Sequence, residues 1–104
     1  MNFNQLRYFV AIVKHGSFWS AALEEYISQS SLSKQIKALE TELGVVLFNR
    51  TGNKITLTEA GQCFYDYALQ LLETKNEMHQ ELMVFEDTPI EEVKFASIPI
   101  VSSY

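Results

Sequence analysis

The 104-residue chain is long enough for one small domain with a modest hydrophobic core. Hydrophobic residues make up 47% of the sequence, which is typical of a globular protein and excludes a fully disordered chain. No apolar run reaches the length that spans a bilayer, and no basic segment precedes an apolar run, so we expect neither a membrane partner nor a secretory signal. Cys63 is the only cysteine, which excludes an intrachain disulfide and fits a reducing cytoplasm.

The formal net charge of −5 is distributed unevenly along the chain. Residues 1–58 contain six Lys or Arg and four carboxylates, a balance of +2. Residues 59–104 contain two Lys and nine carboxylates, a balance of −7. The first part can therefore meet a polyanion such as DNA, which the second part should avoid.

Hydrophobic periodicity predicts two helices in the first quarter of the chain. The first spans residues 2–15 and the second residues 18–26, with Gly16 ending the first and Ser17 capping the second. The inward stripe of the first helix comprises Phe3, Leu6, Phe9, Val10 and Val13. The predicted core residues of the second segment are Ala21, Ala22, Leu23 and Ile27.

Residues 28–42 are predicted to form an amphipathic helix, capped by Ser28 and ended by Gly44. Its apolar stripe comprises Leu32, Ile36, Leu39 and Leu43. Its other face comprises Gln29, Ser30, Ser33, Lys34, Lys37 and Thr41. Amide, hydroxyl and ammonium donors suit the major groove of DNA, although for this helix alone a plain solvated face explains the pattern equally well. A short helix, a tight turn and a helix with a polar outer face together predict a helix-turn-helix.

Residues 45–50 and 54–57 are rich in β-prone residues and predict a hairpin. Gly52 and Asn53 in the turn both tolerate a positive φ, as a short hairpin requires. The basic residues at its tip are Arg50 and Lys54. A plain hairpin with solubilising charges is the alternative, but a basic hairpin that follows a helix-turn-helix is typical of a wing. The predicted fold is therefore mainly α: a winged helix-turn-helix of three helices and a two-stranded wing over residues 48–57, followed by a long helix.

Thr58 is the predicted cap of a long helix over residues 59–86. Residues recur on it in a heptad pattern, with one lysine among apolar members. The pattern places Ala68, Lys75 and Leu82 at a positions and Phe64, Leu71, Met78 and Phe85 at d positions. This seam could be buried within the same chain, but the length of the helix favours dimerisation with a second copy.

The remaining residues, 87–104, are predicted to form a hinge and the start of a strand. A strand without a partner is unstable, which predicts that the sequence is a fragment of a longer protein. The predicted domains are therefore a winged domain over residues 1–58, a linker helix over 59–86, and a hinge with the first strand of a further domain over 87–104.

Several stretches resemble the DNA-binding domain of LysR-type transcriptional regulators: QLRYFVAIVKHGSF, AALEEYISQSSLSKQIKALETELGVVLFNRTG and ITLTEAG. The resemblance continues to about Glu86 as a linker helix, and VKFASIPIVSSY resembles the first strand of the family's effector-binding domain. It implies a homodimer through antiparallel linker helices, a tetramer when the effector domain is present, and activation or repression of nearby genes at an interrupted palindrome in double-stranded DNA. It also implies that a small-molecule effector would bind the missing C-terminal domain, and that this chain itself holds no cofactor.

The resemblance also assigns roles to individual residues. Positions that match base contacts in the family are Gln29, Ser33 and Lys34. Positions that match base or phosphate contacts are Ser28, Ser30, Ser31 and Lys37, and those that match the wing are Arg50, Thr51, Asn53 and Lys54. The family often has proline where Ser30 stands, arginine or lysine where Ser20 stands, and arginine where Asn53 stands. Because each phosphate contact contributes through counterion release, these departures should change affinity and the preferred target.

Two other classes of function compete with DNA binding. As an interaction module, the linker helix could pair with a full-length homologue and block its dimers. An enzyme is not expected, because His15 and His79 have no ligand-spaced neighbours and Cys63 stands alone in an apolar setting, which favours packing. The sequence contains no glycine-rich phosphate loop, no serine–histidine–acid arrangement and no candidate metal site.

Overall fold

The computed structural model describes residues 1–51 and 54–86. In chain order the elements are α1 (Phe3–His15), α2 (Phe18–Glu25), α3 (Gln29–Leu43), β1 (Phe48–Thr51), β2 (Lys54–Leu57), α4 (Glu59–Leu82) and a short 3₁₀ helix (Met83–Phe85). The predicted fold class, a winged helix-turn-helix followed by a long helix, is confirmed. The chain divides into two compact units, residues 1–74 and 75–104, and the division lies within α4. The predicted turn residues Gly52 and Asn53, and the predicted hinge and strand over 87–104, lie outside the described residues, and the predicted domain boundaries stay predictions.

Side-chain caps and left-handed residues delimit the first three helices. The capping side chains are Asn2, Ser17 and Ser28, and the left-handed residues are Gly16, Tyr26 and Gly44. Serine and asparagine oxygens satisfy free amide groups of the first turn, and glycine adopts a positive φ without a steric cost. The predicted caps Ser17 and Ser28 and the predicted stops Gly16 and Gly44 are confirmed. Tyr26 is the predicted last residue of the second helix. The helix instead ends at Glu25, and Tyr26 follows it in the left-handed region, with a φ of 60°.

The core of residues 1–74 is centred on Phe9, which is fully buried. Its ring lies 5.1 Å from that of Phe48 and 4.9 Å from that of Phe64, so one α1 side chain contacts both the wing and α4. The other buried hydrophobic residues are Leu6, Val10, Ala11, Ile12, Phe18, Ala21, Ala22, Leu32, Ile36, Leu39, Leu47, Phe48 and Ala68. Burial of this apolar surface is what holds three short helices and a two-stranded sheet together.

Two predicted core residues are exposed. Leu23 is 62% exposed, because at about 100° per residue it lies away from the inward face that Phe18 and Ala22 define. Glu25 lies on the inward side of α2 instead, with its side chain 12% exposed and an oxygen 2.7 Å from Arg7 Nε. Phe3 is 45% exposed, because it is the first residue of α1 and lies at the edge of the core.

The predicted wing over residues 48–57 is confirmed, since β1 begins at Phe48 and β2 ends at Leu57. The β-prone residues 45–47 before it are not a strand, so a strand start at residue 45 is wrong. The backbone amide of Leu47 donates to Glu40 Oε2 at 2.8 Å, and its carbonyl accepts from the Thr58 amide at 3.0 Å. Thr58 Oγ1 also donates to the Val46 carbonyl at 2.6 Å. These backbone groups are therefore bonded to α3 and to the start of α4 rather than to β2.

The long helix begins as predicted, because Thr58 Oγ1 accepts from the Gly61 amide at 2.8 Å. Its predicted end at residue 86 is wrong: α4 ends at Leu82 and a 3₁₀ helix follows. Within the described residues, no helix is long and apolar enough to cross a membrane.

The predicted dimerisation seam divides into buried and exposed members. Ala68 is fully buried in the core of its own chain, so its assignment as a partner-facing residue is wrong and the alternative of intrachain burial holds for it. Phe64 is partly buried against Phe9. The remaining members are the half-buried Lys75 and the exposed Leu71, Met78, Leu82 and Phe85, whose pairing with a second copy stays a prediction.

Candidate nucleic-acid interface

The outer face of α3 is accessible along its whole length. Leu32, Ile36 and Leu39 face the core, which leaves the polar residues of the helix on the other side. Those predicted to contact DNA are the exposed Ser28, Gln29, Ser30, Ser31, Lys34 and Lys37 and the half-buried Ser33. The structure therefore brings this predicted set together on one surface, as an incoming duplex would require.

The start of α3 is rich in hydrogen-bond donors. Ser28 Oγ accepts from the Ser31 amide at 3.0 Å and lies 3.2 Å from Ser30 Oγ. The first turn contains no acidic residue. The free amides and the positive end of the helix dipole therefore remain available to a negatively charged group such as a phosphate.

A buried glutamine in α1 fixes the middle of α3. Gln5 is 7% exposed, and its Nε2 donates to Gln35 Oε1 at 3.2 Å and to the Gln35 carbonyl at 3.5 Å. Its Oε1 accepts from the Asn2 amide at 3.1 Å, which completes a capping box. Sequence reasoning missed Gln5 because a polar residue interrupts the hydrophobic periodicity of α1. The spacing of Asn2 and Gln5 is the capping-box signature that could have drawn attention to it.

Concave surfaces lie along α3. One, about 610 Å³, is lined by Ser33, Lys34, Lys37, Ala38, Thr41 and Glu42. Another, about 330 Å³, is lined by Lys37, Glu40, Thr41, Gly44, Val45 and Val46. A further one, about 280 Å³, is the α3–β1 cleft, lined by Ser33, Lys37, Glu40, Val46, Phe48 and Arg50. Lys37 lines all of these, so the helix and the base of the wing form one continuous surface. Glu40 lies in the α3–β1 cleft, where its Oε2 accepts from the Leu47 amide.

The wing places its basic residues beside this surface. Arg50 pairs with Ile55, and Thr51 with Lys54, in the antiparallel register of β1 and β2. Arg50, Thr51 and Lys54 are exposed, as predicted for residues that contact DNA. Asn53, also predicted to contact DNA, lies outside the described residues.

Two basic residues of α1 lie beside carboxylates. Arg7 lies 2.7 Å from Glu25, and His15 Nε2 lies 3.6 Å from Glu24, so helix α2 supplies carboxylates to both. Within residues 1–51 and 54–86, by contrast, no carboxylate lies within 4.0 Å of the charged groups of Lys34, Lys37, Arg50 and Lys54. Positive charge on α3 and the wing is therefore left for an external anion.

Cys63 is exposed on α4, and the described residues contain no group of three or more His, Cys, Asp or Glu side chains that could hold a metal ion. The titratable and metal-ligating residue types therefore provide no second candidate site in this part of the chain.

The fold is a winged helix-turn-helix, and α3, the second helix of the motif, has an accessible face of hydrogen-bond donors. This combination defines the class of proteins that bind duplex nucleic acid. The chain belongs to the family described as "Bacterial regulatory helix-turn-helix protein, lysR family", whose model matches residues 3–62.

Similar proteins support this assignment. The chain is 44% identical over 100 residues to a protein of Thalassiosira pseudonana named "Probable RuBisCO transcriptional regulator", which covers 96% of this chain and 33% of the relative. It is 49% identical over 72 residues to the HTH-type transcriptional regulator ClcR of Pseudomonas putida, covering 69% of this chain and 24% of that protein. The chain thus spans about a third or less of the length of these curated relatives.

Among solved structures, the one described as "Crystal Structure of BenM_DBD/catB site 1 DNA Complex" is similar with a TM-score of 0.79 and 40% identity. The match covers 82% of this chain and 94% of that one. Because the similarity extends over nearly the whole of a chain seen in a DNA complex, the fold is that of LysR-family DNA-binding domains.

Proposed function

We propose that this chain is the DNA-binding part of a sequence-specific transcriptional regulator, with α3 in the major groove and the wing on the adjacent backbone or minor groove. One observation carries the proposal: the donor face of α3 is exposed and continuous with the wing, and its cations have no carboxylate partner among the described residues. The similarity to a chain solved in a DNA complex supports the same partner.

Within this arrangement, base reading belongs to side chains near the start of α3. Gln29 can form paired hydrogen bonds with adenine, and Lys34 can donate to guanine acceptors. Ser33 lies between them in the sequence. It lines the concave surface of about 610 Å³ along α3 and also the α3–β1 cleft. Arg50 and Lys54 act on phosphates or sugars, which positions the protein on the duplex without reading its sequence.

We further propose that two copies pair through the linker helix. Met78 is 49%, Leu82 54% and Phe85 61% exposed, which is a large apolar exposure for consecutive turns of one segment. A twofold pair of recognition helices reads two half-sites, which fits an interrupted palindrome. An effector-binding domain beyond residue 104 and a higher oligomer in the full-length protein belong to the same proposal.

Binding rather than catalysis is the proposed activity, because the named relatives are transcriptional regulators. We propose a location in the bacterial cytoplasm, next to the nucleoid, where this protein would meet its DNA partner. Regulation by a small-molecule effector, bound in the domain proposed beyond residue 104, belongs to the same proposal.

The test is selection of bound sequences from a random duplex pool, followed by gel shifts at fixed salt with the selected and a scrambled site. We expect an enriched motif with twofold symmetry and preferential binding to it. Lys14→Ala is the control variant, because it removes one exposed lysine outside α3 and the wing. It should bind the selected duplex in preference to the scrambled one, as the wild type does. A pool that remains unenriched, or equal binding to both duplexes, would contradict sequence-specific recognition.

A second candidate function is an interaction module that captures a homologous regulator through its linker helix. The exposed apolar residues of the linker and the acidic balance of −7 over residues 59–104 favour it. The same gel shift separates the two candidates, because a module that acts only by pairing would leave DNA unshifted as a purified homodimer at low salt.

A further inference from the structure

The guanidinium of Arg50 is stacked on an aromatic ring. Its central carbon lies 4.4 Å from the centroid of the Phe18 ring. Phe18 is the first residue of α2 and is 5% exposed, so its ring is fixed within the core. The ring also lies 5.7 Å from that of Phe48, at an interplanar angle of 66°. Two elements, α2 and β1, therefore hold the surface on which the arginine rests.

A guanidinium that lies over an aromatic face can keep N–H groups for another partner. Arginine carries five N–H donors on a planar group, and these can bind a phosphate in pairs. Within the described residues, no carboxylate lies within 4.0 Å of Arg50 to occupy these donors. An arginine on a fixed ring also loses less rotamer freedom when it binds than one that is free in solvent.

The stacked arginine lines the α3–β1 cleft together with Ser33 and Lys37. The cleft therefore has an ammonium and a hydroxyl on its α3 wall and a guanidinium on its wing wall. Its volume of about 280 Å³ accommodates a phosphodiester group. Glu40, the one carboxylate that lines it, is engaged with the Leu47 amide.

We propose that Phe18 is a positioning residue for DNA binding: its ring holds Arg50 at the α3–β1 cleft so that the guanidinium meets a backbone phosphate in a preset orientation. The proposal rests on the proposed function and adds to it a residue that is buried and that reaches no nucleotide itself. Phe18 also fills the core, so a loss of binding on its replacement has to be separated from a loss of folding.

A double-mutant cycle makes that separation. Phe18→Leu removes the aromatic face but keeps an apolar side chain, and Arg50→Met removes the cation. Phe9→Leu is the matched control, because Phe9 is an equally buried phenylalanine without contact to the guanidinium. Affinity for the selected duplex is measured at several salt concentrations and at a temperature where circular dichroism shows every variant to be folded.

We expect Phe18→Leu to weaken binding about three- to tenfold when Arg50 is present, the size of the ordering cost that an arginine free in solvent would pay on binding. In the Arg50→Met background the same replacement should change binding less than twofold, and Phe9→Leu should do so in either background. NMR of the free protein should show the Arg50 side-chain protons shifted upfield by the ring in the wild type and in Phe9→Leu, but not in Phe18→Leu.

Equal losses for Phe18→Leu in both backgrounds would mean that Phe18 acts through folding alone, and would overturn the proposal. Unchanged binding of Phe18→Leu in the Arg50 background would overturn it too. If the wild-type chain binds neither the selected nor the scrambled duplex, the proposed function fails and this inference falls with it. If the wild type binds the selected duplex but the effects of Phe18→Leu and Arg50→Met are additive, only the role of Phe18 is refuted and the proposed function stands.

Discussion

Gln5 Nε2 donates to Gln35 Oε1 at 3.2 Å, and this bond joins two helices 30 positions apart in the sequence. Gln35 follows Lys34 directly in α3, so the bond fixes the helix next to a residue predicted to read bases. The same nitrogen also donates to the Gln35 carbonyl at 3.5 Å. Apolar side chains of the two helices share the core, and such contacts allow small sliding movements. A directional hydrogen bond from a buried amide restricts the rotation of α3 about its own axis more strictly.

Gln5→Ala should therefore lower the free energy of unfolding by about 1–3 kcal/mol, because it removes the capping box together with the α1–α3 bond. Urea unfolding monitored by circular dichroism measures the loss. Gln35→Ala is the matched control, since it removes the side-chain partner of the bond and leaves the cap intact, and should cost about 0.5–1.5 kcal/mol. Identical losses for the two variants would show that the capping box contributes nothing.

Lys34→Ala and Lys54→Ala remove the same charge from two different parts of the surface. If Lys34 reads a base, its replacement should cost about 1–3 kcal/mol on the preferred site and relax preference at one position. Lys54→Ala should weaken all sequences similarly and reduce the slope of log affinity against log salt by about one. Titration of both variants on the selected and scrambled duplexes measures these effects. Uniform weakening by both variants would refute the assignment of separate roles.

Helix periodicity and caps were sufficient to predict α1, α2 and α3, because the caps and the apolar stripes agree on the same ends. Ser28 and Gly44 are examples. The Ser28 side chain caps the first turn of α3, and Gly44 ends the helix in the left-handed region, which few other residues adopt as easily. The predicted donor face of α3 followed from the same period. Local chemistry therefore determines most of the recognition surface.

The sequence did not predict contacts that depend on tertiary approach. Ala68 fits a heptad seam in sequence, but it belongs to the core cluster of its own chain and is fully buried there. Apart from the capping-box spacing of Gln5, the sequence gives no sign of the tertiary contacts of Gln5, Phe18 and Glu40, because each acts on a residue at least seven positions away that only the fold brings near. Residues 45–47 were predicted as strand on β propensity, which the hydrogen bonds of Glu40 and Thr58 override.

Gly61 tests the close approach of α4 to the segment before the wing. A Cβ added at Gly61 would lie 2.1 Å from the Leu47 carbonyl oxygen, a backbone atom that cannot swing away. Gly61→Ala should therefore lower stability by about 1–3 kcal/mol, despite the better helix propensity of alanine. Thermal unfolding measures the change. Gln62→Ala is a control at the next, exposed position, where a change within about 0.5 kcal/mol is expected. A Gly61→Ala protein as stable as wild type would contradict this close approach.

Leu82 and Ala68 occupy the same heptad position in sequence but differ in exposure, at 54% and 0%. Leu82→Asp should therefore disrupt the proposed dimer by placing a charge in an apolar interface, with little effect on the fold of residues 1–74. Ala68→Leu should instead overpack the core and lower stability by about 1–3 kcal/mol.

Light scattering coupled to size-exclusion chromatography measures the mass of each variant, and circular dichroism its unfolding. We expect a dimeric wild type, a monomeric Leu82→Asp variant with a native helical spectrum, and weaker DNA binding by that variant, since two half-sites could no longer be bound together. A wild type that is monomeric at micromolar concentration, or a Leu82→Asp variant that stays dimeric, would place the pairing surface elsewhere.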